Sequence, residues 1–300
     1  MLSYAQNFED VMLERLFAEV ESGFYVDIGA WDPKVHSVTQ HFYDRGWNGV
    51  NVEPLANRHR MFVSERPRDI NLNNAVSVVG GSVRFYECPE DSALSTVEAN
   101  VADAMRSRGL LLEEYDVEAV TISHILEKFC PKNVEFLKID VEGLEGQLLQ
   151  GLDLSHHRPR ALVIESTVPA TRPKGFDRFD EVEAWSSWEP SIISQDYIFA
   201  HFDGLNRFYL RQEDAKLVSR LAIPPGIFDH FELFAEVEKI NAIDADRKAI
   251  DADRRAKDEI ISRLLRDIEV IEADRAARLD QINTLTKIIH EMRNLEENKN

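Results

Sequence analysis

Five short apolar runs in this sequence each end at residues able to do chemistry. "FYVDI" (24–28) carries Asp27 and runs into Gly29 and Ala30, and "GVNVE" (49–53) stops at Glu53-Pro54. The run 70–76 carries Asn74 and Ala75, "VEFLKI" (134–139) is followed by Asp140, Glu142 and Gly143, and "RALVIE" (160–165) ends at Glu165. Carboxylates accept hydrogen bonds from ammonium groups and hydroxyls, and they repel phosphate. Asp27 is placed to accept from a ligand ammonium directly or through water, while Gly29 lets a ligand approach the backbone closely. Glu53, 26 residues beyond Asp27, is spaced to take the two hydroxyls of a ribose and to disfavour a 2′-phosphate. Asn74 and Ala75 would lie beside an adenine.

These residues meet only if the five runs lie side by side. Helical patterns at about 7–20, 34–45, 54–65, 123–130 and 142–151 alternate with them. Such alternation predicts βαβ units and a parallel sheet covered by helices on both faces. Ligands bind such sheets beyond the carboxyl ends of the strands, where the acids fall. "VSVVGGSVRFYE" (77–87) is expected to be an inserted hairpin turning at Gly80-Gly81. "YIFAHFDGLNRFYLR" places strands at about 197–202 and 206–211 around Asp203-Gly204, a link too short for a parallel crossover. A mostly parallel α/β sheet that finishes on one reversed strand is the Rossmann-like class I methyltransferase arrangement, whereas NAD-binding domains finish on parallel strands.

The strand-end acids form a negative cup with no Gly-rich phosphate turn. S-adenosylmethionine, with a sulfonium, an ammonium and a diol but no phosphate, suits that chemistry. Taken singly, each feature has a plainer reading. "VDIGA" fits any strand–glycine turn, Glu53 any solvated loop acid, and Asp140 equally the N-cap of the following helix, with Glu142 and Glu145 in its first turn. The ordered set, one ending per strand, carries the nucleoside-binding reading.

The formal net charge of -19, from 35 Lys plus Arg against 54 Asp plus Glu, disfavours nucleic acid as a partner. Cys88 and Cys130 are too few for a disulfide framework or a structural zinc site. No run is long and apolar enough to span a membrane, and the acids near the N-terminus do not suit a secretory signal, so a cytoplasmic location is expected. Beyond Gly226 there is no Gly or Pro, and beyond Phe234 no aromatic residue. The expected division is a catalytic domain over 1–226 and a long helix within 227–300. "IDADRKA" (243–249) repeats as "IDADRRA" and returns in phase as "IEADRAA" (271–277). In that register ten of sixteen core positions between Ile243 and Glu296 are apolar, which predicts a parallel coiled coil joining copies of the chain. A lone helix held by (i, i+4) ion pairs is the alternative.

The sequence resembles the FkbM family of S-adenosylmethionine-dependent methyltransferases over nearly all of residues 1–215. The matching pieces are "SYAQNFED", "GFYVDIGAWDPKVHSVTQHFYDRGWNGVNVEP", "LKIDVEGLEGQLLQG" and "YIFAHFDGLNRFYL". The resemblance implies a class I fold and methyl transfer to oxygen, usually on a sugar or polyketide-derived hydroxyl, in a branch associated with cell-surface polysaccharides. One departure is the first loop, "GAWDP", where the family usually has a second glycine.

Within that frame Gln6 and Asp10 are candidate polar contacts of a segment folding over the cofactor. Ser37, in "HSVT", is a candidate at the opening of a helix. "DSALSTV" (91–97) could contact the adenine or close over it. For the acceptor proton Asp140 is the first candidate base, followed by Glu165 and His201. Asp140 and Glu165 could instead hold a divalent ion that binds a sugar diol. The expected activity is O-methylation of a sugar hydroxyl on a glycan, surface polysaccharide or glycosylated metabolite. The competing readings are a catalytically silent nucleoside-binding module on a coiled-coil scaffold and a nicotinamide-dependent oxidoreductase.

Overall fold

A computed structural model describes residues 1–167 and 185–297 of the chain. In chain order the first elements are β1 (Leu2–Ser3), α1 (Glu9–Phe17), β2 (Phe24–Ile28), α2 (Gln40–Asp44), β3 (Asn48–Val52), α3 (Ala56–Glu65) and β4 (Ile70–Leu72). They are followed by β5 (Ala75–Val76), β6 (Gly81–Glu87), α4 (Ala99–Ser107), β7 (Glu113–Val120), α5 (Ile122–Phe129), β8 (Phe136–Ile139) and α6 (Glu145–Gln150). The last are β9 (Ala161–Glu165), α7 (Glu189–Ile193), β10 (Tyr197–Phe202), β11 (Asn206–Arg211), β12 (Glu232–Leu233) and α8 (Phe234–Glu297). Two compact units result, Met1–Ala235 and Glu236–Asn300.

The first unit is built on a seven-stranded sheet in the order β10-β11-β9-β8-β2-β3-β4. β9, β8, β2, β3 and β4 run parallel, and β11 is antiparallel to both of its neighbours. Alternation along the strands sorts the side chains into two cores. Val26, Ile28, Leu137, Ile139 and Ile164 pack under α5, α6 and α7, while Tyr25, Phe136, Val163 and Phe208 pack against α1 and α2. A sheet covered on both faces explains why its strands read as continuous apolar runs. It also makes the two charged residues on inner positions, Asp27 and Lys138, conspicuous.

The predicted reversal of the last strand is observed at the positions expected, Tyr197–Phe202 against Asn206–Arg211. Elsewhere the structure departs from expectation. The single strand predicted over 70–76 is two strands in different sheets. Asn73 and Asn74 break it, Asn73 spending its amide on the carbonyls of Glu53 and Pro54. Residues 77–87 are not a hairpin with their own flank. The chain turns at Val78-Val79, Gly81 already opening β6, and β7 sits between β5 and β6 and pairs with both. A two-residue β5 offers β6 no ladder, whereas the eight residues of β7 do.

Helix α2 begins at Gln40 instead of residue 34, because His36 is left-handed (φ 56°) and the buried Arg66 gathers the oxygens of Pro33, Ser37 and Thr39. Helix α6 begins at Glu145 with Leu144 at its N-cap, so Asp140 is not a helix cap. Residues 227–233 remain tied to the first unit. β12 pairs in parallel with β1, and Asp229 accepts from Arg15 at 2.6 and 2.7 Å.

The second unit is helix α8, whose heptad isoleucines, such as Ile243 (66% exposed) and Ile250 (68%), stand open. The predicted run to residue 298 ends outside the described residues. No helix among the described residues is long and apolar enough to cross a membrane.

Candidate active site

The carboxyl ends of β2, β3 and β8 open onto a cleft enclosing about 910 Å³, its open mouth included. Of the residues singled out in the sequence, Gln6, Gly29, Ala30, Glu53, Pro54, Asn74, Ala75, Asp140 and Glu142 line it. The sheet places them there because adjacent parallel strands end together at the same edge. Gly29 is fixed by geometry. At φ 75° its backbone is left-handed, and a Cβ there would stand 1.7 Å from the Asp140 carbonyl oxygen.

Glu53 is 4% exposed at the end of β3. One carboxylate oxygen accepts from Leu55 N at 2.7 Å and the other from Trp31 N at 2.9 Å. Each oxygen keeps a free lone pair. Burial pushes this carboxyl up to about 7, against the lowering effect of those two amides, Lys138 and Arg58. Beside it Trp31, left-handed at φ 51°, donates its indole to Ser92 at 3.0 Å, stacks with His36 and lies under the Arg58 guanidinium, 4.3 Å from the ring centre. The "GAWDP" loop is therefore anchored through Trp31, with Pro33 standing where the family usually has its second glycine. Leu55, Ala75, Val76, Phe85 and Val97 make an apolar wall, with Ser95 and Thr96 as polar points on it, so the Ser/Thr-rich stretch 91–97 contributes to the lining.

The floor differs from the purely acidic cup read from the sequence. Lys138, a residue the sequence reading passed over, sends its ammonium to Gly29 O at 2.8 Å, Asp140 Oδ2 at 3.2 Å and Asp27 Oδ1 at 3.3 Å. Burial works to lower this amine, but Asp140 and Asp27 outweigh it and hold it above its ordinary value. The register of β8 against β2 sets it there, on the same sheet face as Phe136 and opposite Asp27. Asp27 is 1% exposed and also accepts from Thr39 Oγ1 at 3.2 Å, so it lies beneath the cleft and does not line it. Of the two ways in which Asp27 was expected to meet a ligand ammonium, directly or through water, this position beneath the lining leaves the indirect one.

Three further candidates lie outside the cleft. Asp10, fully buried, accepts from Ser3 Oγ, Tyr4 N, Ala5 N and Val11 N and so pins the N-terminal segment. Ser37 Oγ accepts from Arg66 at 2.7 Å. His201 sits on β10 with its ring edge-on to Phe208, and burial lowers its pKa. It does not line the cleft.

Four acids converge beside the cleft: Asp140 and Glu142, which line it, and Glu145 and Glu165, which do not. Glu142 is left-handed (φ 54°), which turns the chain so that Glu145, at the start of α6, accepts from Val141 N at 2.8 Å and Gly143 N at 3.1 Å. Glu165, at the end of β9, faces Asp140 and Glu145, and a carboxylate oxygen from each of these three lies within 4.8 Å of the others. Burial, then the charge of Asp140, raises both Glu142 and Glu165 well above the ordinary carboxylate range. Burial raises Glu145 to about 7.

The model of the FkbM methyltransferase domain matches residues 27–199, more than half of the chain. Among solved structures, a crystal structure of methyltransferase FkbM from Methylobacillus flagellatus KT is similar at 16% identity and a TM-score of 0.38. That match covers 63% of this chain and 44% of the other, so this chain spans less than half the length of that protein. Comparison with curated proteins finds no match.

Proposed function

The chain belongs to the FkbM methyltransferase family, and from that premise we propose that it moves a methyl group from S-adenosylmethionine to a sugar hydroxyl of a glycan, surface polysaccharide or glycosylated metabolite. The observation that carries the cofactor reading is Glu53. A nearly buried carboxylate at the second parallel strand end, with one spare lone pair on each oxygen, fits a vicinal diol. The lining also lacks the means to hold phosphates. Lys138 is the one Lys or Arg among its described residues, and it is committed to two carboxylates and a carbonyl. The order of the seven strands, with β11 reversed between β9 and β10, supports the class I methyltransferase arrangement and speaks against a nicotinamide site.

When bound, S-adenosylmethionine supplies an electrophilic methyl on a sulfonium; the rest falls to the protein. Glu53 would orient the ribose, and the apolar wall of Val76, Phe85 and Val97 would cover the adenine, with Asn74 and Ala75 beside it. Lys138 fixes the Gly29 carbonyl and one Asp140 oxygen, so the backbone that meets the cofactor is held rigid. The Asp140 side chain is one-third exposed toward the cleft, which makes it the first candidate to receive the acceptor proton, with Glu165 behind it. The exposed heptad face of α8 would join copies of the chain as a coiled coil.

Calorimetry tests the reading. S-adenosylmethionine and S-adenosylhomocysteine should each bind with one site per chain, and NAD should not bind. Binding of NAD in preference to both would overturn the proposal.

A further inference from the structure

Glu165 Oε2 is a buried oxygen that receives no hydrogen bond from an N–H or hydroxyl donor among the described residues, its residue 91% buried and its carboxyl within hydrogen-bonding reach only of the Asp140 carboxyl and Thr167. Its other oxygen accepts from Thr167 Oγ1 at 3.1 Å. An orphaned carboxylate oxygen is costly inside a protein, and native structures seldom leave one without a partner. This oxygen belongs to a group that faces two further carboxylates, Asp140 and Glu145, with oxygens from all three within 4.8 Å of one another. Among the described residues Lys138 is the cation paired with this cluster; it touches Asp140 through Oδ2 and forms no ion pair with Glu145 or Glu165.

We propose that Asp140, Glu145 and Glu165 form a binding site for one hard divalent cation, adjoining the cleft through Asp140. The donor set is all oxygen, which selects magnesium, manganese or calcium over zinc or copper. Calcium–oxygen bonds of about 2.3–2.6 Å put opposite ligands some 5 Å apart, so the present spacing accepts calcium with little movement. Magnesium, at about 2.0–2.1 Å, needs the three oxygens to draw in by a fraction of an ångström. Each ligand has capacity left. Glu165 offers its orphaned Oε2 and Asp140 the oxygen that Lys138 does not hold. Glu145 offers remaining lone pairs, its amide bonds to Val141 and Gly143 fixing its direction. Three protein ligands leave coordination positions open to water or to acceptor oxygens. Because Asp140 also lines the cleft, those positions lie on its acceptor side, a placement that rests on the function proposed above.

Manganese is a direct probe. Full-length protein stripped with a chelator is titrated with Mn²⁺, and loss of the free-ion electron paramagnetic resonance signal reports binding without any cofactor. One site per chain is expected, weakened about tenfold or more in Glu165→Gln and again in Asp140→Asn, because a lost ligand costs at least as much as a lost outer partner. Melting curves without metal establish that both variants fold; Glu165→Gln, which removes a charge from a crowded acidic cluster, is expected to melt no lower than wild type. Absence of a site, or weak multiple binding unchanged in Glu165→Gln, overturns the proposal and leaves Asp140 and Glu165 as a pair sharing a proton. Calorimetry of S-adenosylmethionine in excess chelator keeps the two readings apart. Cofactor binding without Mn²⁺ binding would remove the cation site alone, and Mn²⁺ binding without cofactor binding would remove the methyl-transfer reading alone.

Discussion

Lys138 stands opposite Asp27 in the register of β8 and β2, its Nζ 3.3 Å from Asp27 Oδ1, with both side chains nearly sealed from solvent. Parallel neighbours point to the same face, so a lysine and an aspartate at matched positions become an ion pair beneath the cleft. Removing one partner leaves a buried unpaired charge, which typically costs about 3–5 kcal/mol. Lys138→Met should therefore lower stability by about that amount in urea unfolding, and Lys138→Met combined with Asp27→Asn should recover a large part of it. A loss below about 1 kcal/mol in the single variant would show that the pair does not hold the floor.

Glu53 sets a pH dependence. Its folded value of about 7 lies above the ordinary 4.5, so the native state retains a proton that the unfolded state has lost. Stability from this group is full below about pH 4.5 and falls as pH rises toward 7. A diol needs the ionised carboxylate as acceptor, so affinity for S-adenosylmethionine should rise between pH 6 and 8 and level off above. Below 7 the loss approaches about tenfold per pH unit. Calorimetry at several pH values should show this slope in wild type and a flat profile in Glu53→Gln. Glu53→Ala at pH 8 should bind about tenfold or more weakly, the worth of a charged hydrogen bond. A wild-type profile as flat as that of the variant would remove Glu53 from the site.

Asp140→Asn separates binding from turnover. With Asp140 as proton acceptor or cation ligand, the variant should bind S-adenosylmethionine within a few-fold of wild type and lose methyl transfer. Equal loss of both would assign Asp140 to the cofactor alone, and retention of both would leave it without a role in chemistry.

Gly29→Ala is expected to damage fold and site together. The left-handed backbone costs a Cβ-bearing residue about 1–3 kcal/mol before the collision with the Asp140 carbonyl is counted. Thermal unfolding should show a clear drop. An unchanged melting temperature would mean that the loop rearranges freely, contrary to its anchoring by Lys138.

The heptad face of α8 predicts association. Light scattering should find a dimer or trimer for the full chain and a monomer for a chain ending at Ala235, which keeps β12 paired with β1. A monomeric full chain would leave α8 as a single charged helix.

The amino-acid sequence by itself determined the alternation of strands and helices, the reversed last strand and the positions of the strand-end acids. Each rests on local information: apolar periodicity, glycine-containing turns and a link too short for a crossover. It also put Glu53 just past a buried strand, and the structure has that residue lining the cleft. The pairing of β5 and β6 through β7 was decided by the tertiary structure, since strand partnership depends on which edges meet and not on adjacency in the chain. So was the withdrawal of Asp10 and Ser37, which the N-terminal segment and Arg66 claim from a distance. Lys138 shows the limit most clearly. In the chain it is one lysine in "FLKID", and only the register of β8 against β2 and the shielding by both helix layers turn it into the buried cation that holds Asp27, Asp140 and Gly29 in place.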